Sequence, residues 1–357
     1  MFYLPVRKVL KCLIKKRNLA RQERHAASLT ECLIKESSQQ EKWNYKYHII
    51  IIIVILLILS LKIFQQYQYE MLMEDGEPFD YNETLSMCAI NTTFGKTPIN
   101  RLITKNVLER LYPTVLKGGY YRPRDCQPRH KVAILVPYRD RALHLRIFLY
   151  NMHPFLMKQK LEYRIFVLEQ AGLDIFNRGR LFNAGFKEVM KLGKWQCVIF
   201  HDVDLLPLDD RILYTCPIWP RNMCGTIVEE KDPTFRTLYG GVSAMDVKHF
   251  SKVNGYSNSY WGWGGEDDDI YKRLHEAGIP VTKYDKQIAL YTSLRHVKQA
   301  PNKNRYKLLR TALKRSKKDG VSSLKFKVIS VTLLHLYTHI VIDINPNKEI
   351  VQEIYFK

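Results

Sequence analysis

Acidic residues are in short supply in this chain. Its 357 residues hold 35 Asp and Glu against 56 Lys and Arg, a formal net charge of +21. So basic a balance suits nucleic acid, a membrane surface or an anionic ligand. No recognisable nucleic-acid-binding module accompanies the charge, which removes the first of these. Also missing is a short leader ahead of the main apolar run: 46 residues lie before residue 47, which argues against a cleaved signal peptide. A lack of apolar residues is not among the deficits. At 46% hydrophobic and 25% charged, the chain can bury a real core and is not a disordered polymer.

What is there begins with Ile49 to Leu61, apolar throughout except for Ser60. Taken from Tyr45 to Phe64 it has about the twenty residues that a bilayer requires. Residues 1–46 carry eleven Lys and Arg against four Asp and Glu, and basic residues stay on the cytoplasmic side. The expected organisation is therefore a basic cytoplasmic tail over 1–46, a signal anchor over 47–64, a polar stem over 65–97 and a catalytic domain over 98–350. That is a single-pass type II protein with a lumenal body. Asn82-Glu83-Thr84 and Asn91-Thr92-Thr93 make Asn82 and Asn91 glycosylation candidates on the lumenal side. Seven cysteines divide into Cys12 and Cys32 in the tail and Cys88, Cys126, Cys197, Cys216 and Cys224 beyond the anchor. Five is odd, so in an oxidising compartment one thiol is free or some pairing is external.

From Lys131 strands and helices alternate. Val132 to Val136 is a short apolar run closed by Pro137, as expected of a strand buried on both faces. Arg164 to Glu169 and Trp195 to Phe200 read as further strands, with apolar-periodic helices between them. This pattern implies an α/β fold with a parallel sheet and a ligand beyond the carboxyl ends of its strands. The loops at that edge carry arginines suited to phosphate, and Tyr138 and Phe176 could sandwich a base. Asp202-Val203-Asp204 follows the third strand. In extended backbone its two carboxylates share a face and suit a hard divalent cation on a diphosphate. His296 is a further candidate metal ligand.

The densest stretch is Tyr260 to Asp269, Tyr-Trp-Gly-Trp-Gly-Gly-Glu-Asp-Asp-Asp. Ile270, Leu274 and Ala277 then recur at helical spacing before Gly278, so the acids fall in the first turn of a helix, where its dipole favours them. The bland reading is acids at a helix start with aromatics in a core. In the functional reading the indoles form a sugar platform, the glycines permit movement, and one carboxylate removes a proton from a hydroxyl.

With these residues assembled, the chain resembles the β-1,4-galactosyltransferase family of Golgi glycosyltransferases over Cys88 to Ile344. The likeness is carried by Val136-Pro137-Tyr138-Arg139-Asp140-Arg141, Phe176-Asn177-Arg178, Asp202-Val203-Asp204, Gly240-Gly241-Val242-Ser243, the block from Trp261 to Asp269, and Leu336-Tyr337-Thr338. The resemblance implies a GT-A (Rossmann-like) nucleotide-sugar transferase domain, inverting chemistry and a manganese ion on the donor diphosphate. Pro137, Tyr138, Arg139, Arg141, Phe176, Arg178, Asp202, Val203, Leu238 and Trp263 would then line the donor site, and Asp204 and His296 would hold the metal. Gly265, Glu266, Asp267 and Asp268 would hold the acceptor, with Asp267 as the base that activates its 4-hydroxyl. Arg305, Tyr306 and Leu309 would receive the acceptor's N-acetyl group. The family's two disulfides correspond to Cys88 with Cys126 and Cys197 with Cys216, leaving Cys224 over.

Two departures from the family pattern modify the expectation. Ser293 stands where better-known members place a methionine metal ligand, and a hydroxyl is the harder and weaker donor, so magnesium is expected to be tolerated better. Leu238 stands where galactose-transferring members carry a tyrosine that crowds the sugar's 2-position. The expected donor is therefore UDP-GalNAc, with UDP-Gal as the alternative, and the acceptor a GlcNAc-terminated glycan on protein or lipid. A homodimer or an accessory membrane protein stays open as a further partner; nucleic acid does not. A lectin-like protein without turnover is the rival class, and Asp267, Asp204 and His296 argue against it, since binding a sugar needs neither base nor diphosphate metal.

Overall fold

The structure is a computed structural model and describes residues 47–63, 85–89, 95–108, 110–229, 239–297 and 299–346. The chain divides into two units, Met1–Glu70 and Met71–Lys357. In the first, residues 47–63 form a helix that carries the apolar run with its side chains exposed. Among the described residues no helix is long and apolar enough to cross a membrane. Phe64, with which the expected anchor ends, lies outside the described residues, as do Cys12, Cys32, Asn82, Asn91 and Leu238.

In the second unit the elements in chain order are α1 (Lys105–Leu108), β1 (Tyr120–Tyr121), β2 (Lys131–Tyr138), α2 (Ala142–Lys158), β3 (Glu162–Gln170), α3 (Arg178–Val189), β4 (Cys197–His201), β5 (Leu205–Pro207), β6 (Arg221–Asn222), β7 (Thr226–Ile227) and β8 (Val242–Asp246). They continue with α4 (Val247–Lys252), α5 (Glu266–Glu276), β9 (Thr282–Lys283), β10 (Leu290–Ser293), α6 (Arg305–Arg310), α7 (Ala312–Arg315), β11 (Lys327–Leu333) and β12 (Thr338–Asp343). The main sheet runs β11-β12-β3-β2-β4-β8-β6-β9 with β1 beside β3, and β5-β10-β7 form a smaller sheet.

The apolar run of β2 is continuous because helices cover both of its faces. Val132, Ile134 and Val136 pack with Phe148 and Met152 of α2. Ala133 and Leu135 pack with Leu181 and Phe182 of α3 on the other side. Full burial of such side chains stabilises by about 1.5–3 kcal/mol each, so these two layers dominate the body's cohesion. Pro137 does not close the strand as expected: β2 continues through Tyr138, which pairs with Glu169. Pro154 sits inside α2, where a proline deprives the carbonyl four residues back of its helical donor. That carbonyl, of Tyr150, instead accepts from the Tyr112 hydroxyl at 2.6 Å.

The sheet is mixed rather than parallel throughout. β12, β3, β2 and β4 are parallel neighbours, but β8 runs antiparallel to β4 and β11 antiparallel to β12. No crossover helix joins β4 to β8 among the described residues. The chain passes through the small sheet instead and returns from the opposite end. Part of the segment read as stem is fastened to this body, by the Cys88–Cys126 disulfide and by Thr97 N–H donating to Leu208 O at 2.9 Å. The second disulfide, Cys197–Cys216, ties β4 to the loop beyond β5, and Cys224 is a buried free thiol.

Candidate active site

The carboxyl ends of β2, β3 and β4 converge on one edge, and Arg178 is the group that joins what they present. It is the first residue of α3. Asn177 caps that helix by accepting from Arg180 N–H at 2.9 Å, and its amide donates to Asn258 O, fixing the helix start to the segment before the Trp-Gly loop. Arg178 donates from Nε to Asp202 Oδ1 at 2.7 Å and from Nη1 to Asp267 Oδ1 at 2.7 Å, with Glu266 Oε1 at 3.6 Å. Its guanidinium lies 4.8 Å from the Phe182 ring centroid. Burial alone would lower the Arg178 pKa; Asp202 and Asp267 outweigh that and raise it.

The four acids of the block take four different environments. Glu266 is buried, and desolvation with the neighbouring Asp267 charge pushes its pKa up to about 8. Asp267 is held by Arg178 through one oxygen. Asp268 is half-buried, its pKa raised by burial and by Asp267. Asp269 is fully buried and structural: it accepts from Arg273 Nε at 2.6 Å and Tyr260 Oη at 2.9 Å, and pairs with Arg315 at 3.4 Å. The two indoles separate likewise. Trp261 lies in the core at 0% exposure, whereas Trp263 is 46% exposed. The sugar platform expected from both rings therefore reduces to Trp263, since the first indole is used in packing beneath Arg180. Gly265 caps α5 at φ 99°, and a Cβ there would come within 2.6 Å of the Tyr260 ring, so glycine is required by conformation and by space.

Asp202-Val203-Asp204 is a turn, not extended backbone, with Leu205 N–H returning to Asp202 O at 3.2 Å. The expectation of two carboxylates on one strand face fails, because the turn sends them to different partners. Asp202 meets Arg178, and burial raises its pKa to about 6 against the opposing pull of that arginine. Asp204 Oδ2 lies 2.9 Å from His296 Nδ1. Burial pushes Asp204 up, but the hydrogen bond and charge of His296 prevail and lower it; the His296 pKa rises in turn. Val203 points into the core at 6% exposure, so only its backbone faces the site edge. Pro137 is likewise buried within its strand.

Among the described residues no cluster of three or more His, Cys, Asp or Glu is arranged to hold a metal. A carboxylate and an imidazole in contact, Asp204 and His296, are nevertheless a donor pair that would suit a divalent cation. Ser293 pairs with Leu205, the residue after Asp204, and its N–H donates to Glu229 Oε2 at 2.8 Å. Thr292 and Arg101 also donate to Glu229, a residue on which the sequence carries no signal. His144 was equally silent in the sequence. It contacts the Arg295 carbonyl at 3.1 Å and meets the His296 ring edge-on at 6.3 Å. Arg141 reaches the Val297 carbonyl at 3.3 Å.

At the remaining positions, Arg139 donates to Asp174 O at 2.7 Å and covers the Phe176 ring at 5.3 Å. Tyr138 and Phe176 are both partly buried. Arg305 lies over Trp263 at 5.8 Å and over Tyr306 at 4.5 Å, and Leu309 is on the same helix. The Trp263 backbone pairs with the 300–302 segment, which seats α6 against the Trp-Gly loop.

Known proteins resemble this chain in sequence and fold. The model for the N-terminal region of glycosyl transferase group 7 matches residues 88–217, and that for the N-terminal domain of galactosyltransferase matches residues 229–297. Human β-1,4-galactosyltransferase 6 is 44% identical over 232 residues, 64% of this chain and 60% of that protein. Mouse β-1,4-galactosyltransferase 1 is 39% identical over 251 residues, 69% of this chain and 62% of that protein. The chain thus spans about 60% of the length of these relatives. Among solved structures, the catalytic domain of Drosophila β-1,4-galactosyltransferase 7 complexed with xylobiose superposes with a TM-score of 0.53 at 32% identity, covering 60% of this chain and 94% of that one. A mutant of the same Drosophila enzyme, in complex with manganese, UDP-Gal and xylobiose, gives 0.51 at 30% identity, with the same coverage.

Fold and matches together define a protein of glycosyltransferase, GT-A-like architecture. More narrowly, the chain belongs to the β-1,4-galactosyltransferase family.

Proposed function

We propose that the protein transfers a hexose from a UDP-sugar to the 4-hydroxyl of a terminal GlcNAc, with inversion and with a divalent cation. The observation that carries this is the Arg178 bridge: one guanidinium 2.7 Å from both Asp202 and Asp267 sets a carboxylate base opposite the strand edge where a nucleotide binds. Arg178 occupies one oxygen of Asp267 and orients the other toward an acceptor hydroxyl, whose proton Asp267 removes as the sugar bond forms. A cation held by Asp204 and His296, manganese on the precedent of the Drosophila neighbour, would offset the charge that grows on the departing diphosphate. Trp263 and α6 cover the acceptor side and keep water from competing.

The donor is galactose in this reading, on the strength of the relatives, which are named galactosyltransferases. N-acetylgalactosamine, expected from Leu238, has no support in the comparisons. Greater magnesium tolerance from Ser293 belongs to the same proposal. So does anchoring in a Golgi membrane, supported by the run Ile49 to Leu61 and the basic tail.

The test uses the full chain in detergent with free GlcNAc as acceptor and a UDP-Gal and UDP-GalNAc panel, reading UDP release. UDP-Gal is expected to be used faster, and Leu238→Tyr to widen that margin. Asp267→Asn is expected to lower kcat by roughly 10²–10⁴-fold, the usual worth of a positioned base. Full-speed transfer by this variant would remove Asp267 from the chemistry.

A further inference from the structure

A chain of buried polar groups lies behind the Asp202-Val203-Asp204 turn and has no part in the transferase reading. His201 is the last residue of β4, and its ring is fully buried, as are those of Tyr214 and Tyr291. His201 Nδ1 stands 2.9 Å from Asp202 O, and Nε2 stands 2.8 Å from the Tyr214 hydroxyl. That hydroxyl is in turn 3.1 Å from the hydroxyl of Tyr291. The direction of each bond follows from what its partner can do. A carbonyl only accepts, so Nδ1 donates to Asp202 O; burial favours the neutral ring, whose Nε2 then accepts from Tyr214. The single Tyr214 proton is thereby committed, and Tyr291 donates to the Tyr214 oxygen. The imidazole is also held by packing, with the Phe148 ring edge-on at 5.0 Å and the Tyr214 ring stacked at 5.7 Å.

This chain joins the two segments that bear the candidate metal ligands. Asp204 belongs to the turn after β4, whereas His296 follows β10, the strand on which Tyr291 lies. Tyr291 and Ser293 of β10 pair with Pro207 and Leu205 of β5, and Leu294 N–H donates to Asp204 O at 2.8 Å. At the other end Asp202 O accepts from His201 and from Leu205 N–H, so the carbonyl that closes the turn has both lone pairs engaged. Tyr214, in the middle, is itself fixed. Its N–H donates to Gln159 Oε1 at 2.7 Å, and Cys216, two residues on, is bonded to Cys197 at the start of β4.

We propose that His201, Tyr214 and Tyr291 are positioning residues for the divalent cation: they brace the Asp202-Val203-Asp204 turn against β10 so that Asp204 and His296 stand ready to receive it. None of the three touches a reacting atom. The inference rests on the transferase reading above and deepens its cation site. Ligands already gathered by the fold bind an ion more tightly than ligands that binding has to order. Groups that orient metal ligands from behind typically contribute roughly 10–100-fold in affinity.

The experiment measures Mn2+ binding to the full chain in detergent from the EPR signal of the free ion, alongside thermal melts and the Mn2+ dependence of UDP release. Tyr214→Phe cuts the chain of hydrogen bonds at its centre, and His201→Leu detaches it from the turn. Both are expected to raise the Kd for Mn2+ about tenfold, and the Mn2+ concentration that gives half-maximal rate should rise to match. His201→Asn keeps a donor near the place of Nδ1 and is expected to recover most of what the leucine loses. Tyr163→Phe is the control. Tyr163 is fully buried with its hydroxyl 2.8 Å from His153 Nδ1, and His153 Nε2 lies 2.9 Å from Leu336 O, so the same types of group are linked between β3, α2 and the segment before β12. This variant is expected to lower the melting temperature as much as Tyr214→Phe does while leaving the Kd unchanged. Wild-type Mn2+ affinity in both Tyr214→Phe and His201→Leu, or an equal loss in Tyr163→Phe, would overturn the proposal. A wild-type chain that takes up no Mn2+ would instead remove the cation from the transferase reading, and this inference with it.

Discussion

Arg178 decides the chemistry of the site at the scale of single residues. Its planar fork serves two carboxylates at once, a task that a lysine ammonium cannot perform in the same geometry. Arg178→Lys is therefore expected to fold but to lose activity by about two orders of magnitude, measured as kcat/KM on GlcNAc. Arg178→Ala removes the cation that buried Glu266 and the partly buried Asp202 and Asp267 share, and breaking a pair of this kind costs up to about 3–5 kcal/mol when fully buried. Urea denaturation of the variant checks that figure.

Glu266 gives the pH dependence a sign. Its folded pKa of about 8 lies above its ordinary 4.5. Below pH 4.5 both folded and unfolded forms are protonated, and its contribution to stability is fully present. That contribution is lost as pH rises from 4.5 through about 8, because only the unfolded chain ionises freely. Glu266→Gln is expected to flatten stability against pH in that window and to gain stability over wild type at pH 8. Thermal melts across the range would show it, and parallel profiles would refute it.

At the scale of elements, the Trp-Gly loop and the His296 segment are set by neighbours remote in sequence. Gly265→Ala would force a side chain into φ 99° and against Tyr260, a strain of about 1–3 kcal/mol at the start of α5. Kinetics should register it more strongly than melting does, since Asp267 stands two residues on. His144, near the start of α2, holds the Arg295 carbonyl beside His296. His144→Ala is expected to free that backbone, speeding tryptic cleavage after Arg295, while His144→Gln, which can still donate to the carbonyl, restores protection. Unchanged cleavage would leave His144 without a positioning role.

The elements themselves were largely legible. β2, β3, β4 and α5 fall where apolar runs and helical spacing put them, because burial on both faces leaves an unbroken apolar signature. The turn at Asp202-Val203-Asp204 was not, since three residues carry no period and the hydrogen bond that closes them is a backbone one. Nor was the division of labour among Glu266, Asp267, Asp268 and Asp269. Adjacent acids look alike in sequence, and on a helix only about every fourth residue shares a face.

For the whole molecule, two disulfides with sequence separations of 38 and 19 residues pin the N-terminal margin and β4 to the body. A loop of the shorter kind contributes about 3 kcal/mol by restricting the unfolded chain. Reduction is expected to lower the melting temperature, while Cys224, 6% exposed, takes up a thiol reagent only once the body has unfolded. Labelling of Cys224 in the native protein, followed by mass spectrometry, would contradict its burial.

Composition and local order were enough to establish an apolar anchor candidate, an α/β body, and the strand edge at which acids and arginines meet. These follow from hydrophobic periodicity and from residue types that few other tasks require. Tertiary structure alone decided that the sheet is mixed, that Trp261 belongs to the core while Trp263 faces solvent, and that Arg178 ties Asp202 to Asp267. Each of these depends on which distant segments come into contact, and contacts between residues as far apart as 178 and 267 leave no trace in the local spacing of a single chain.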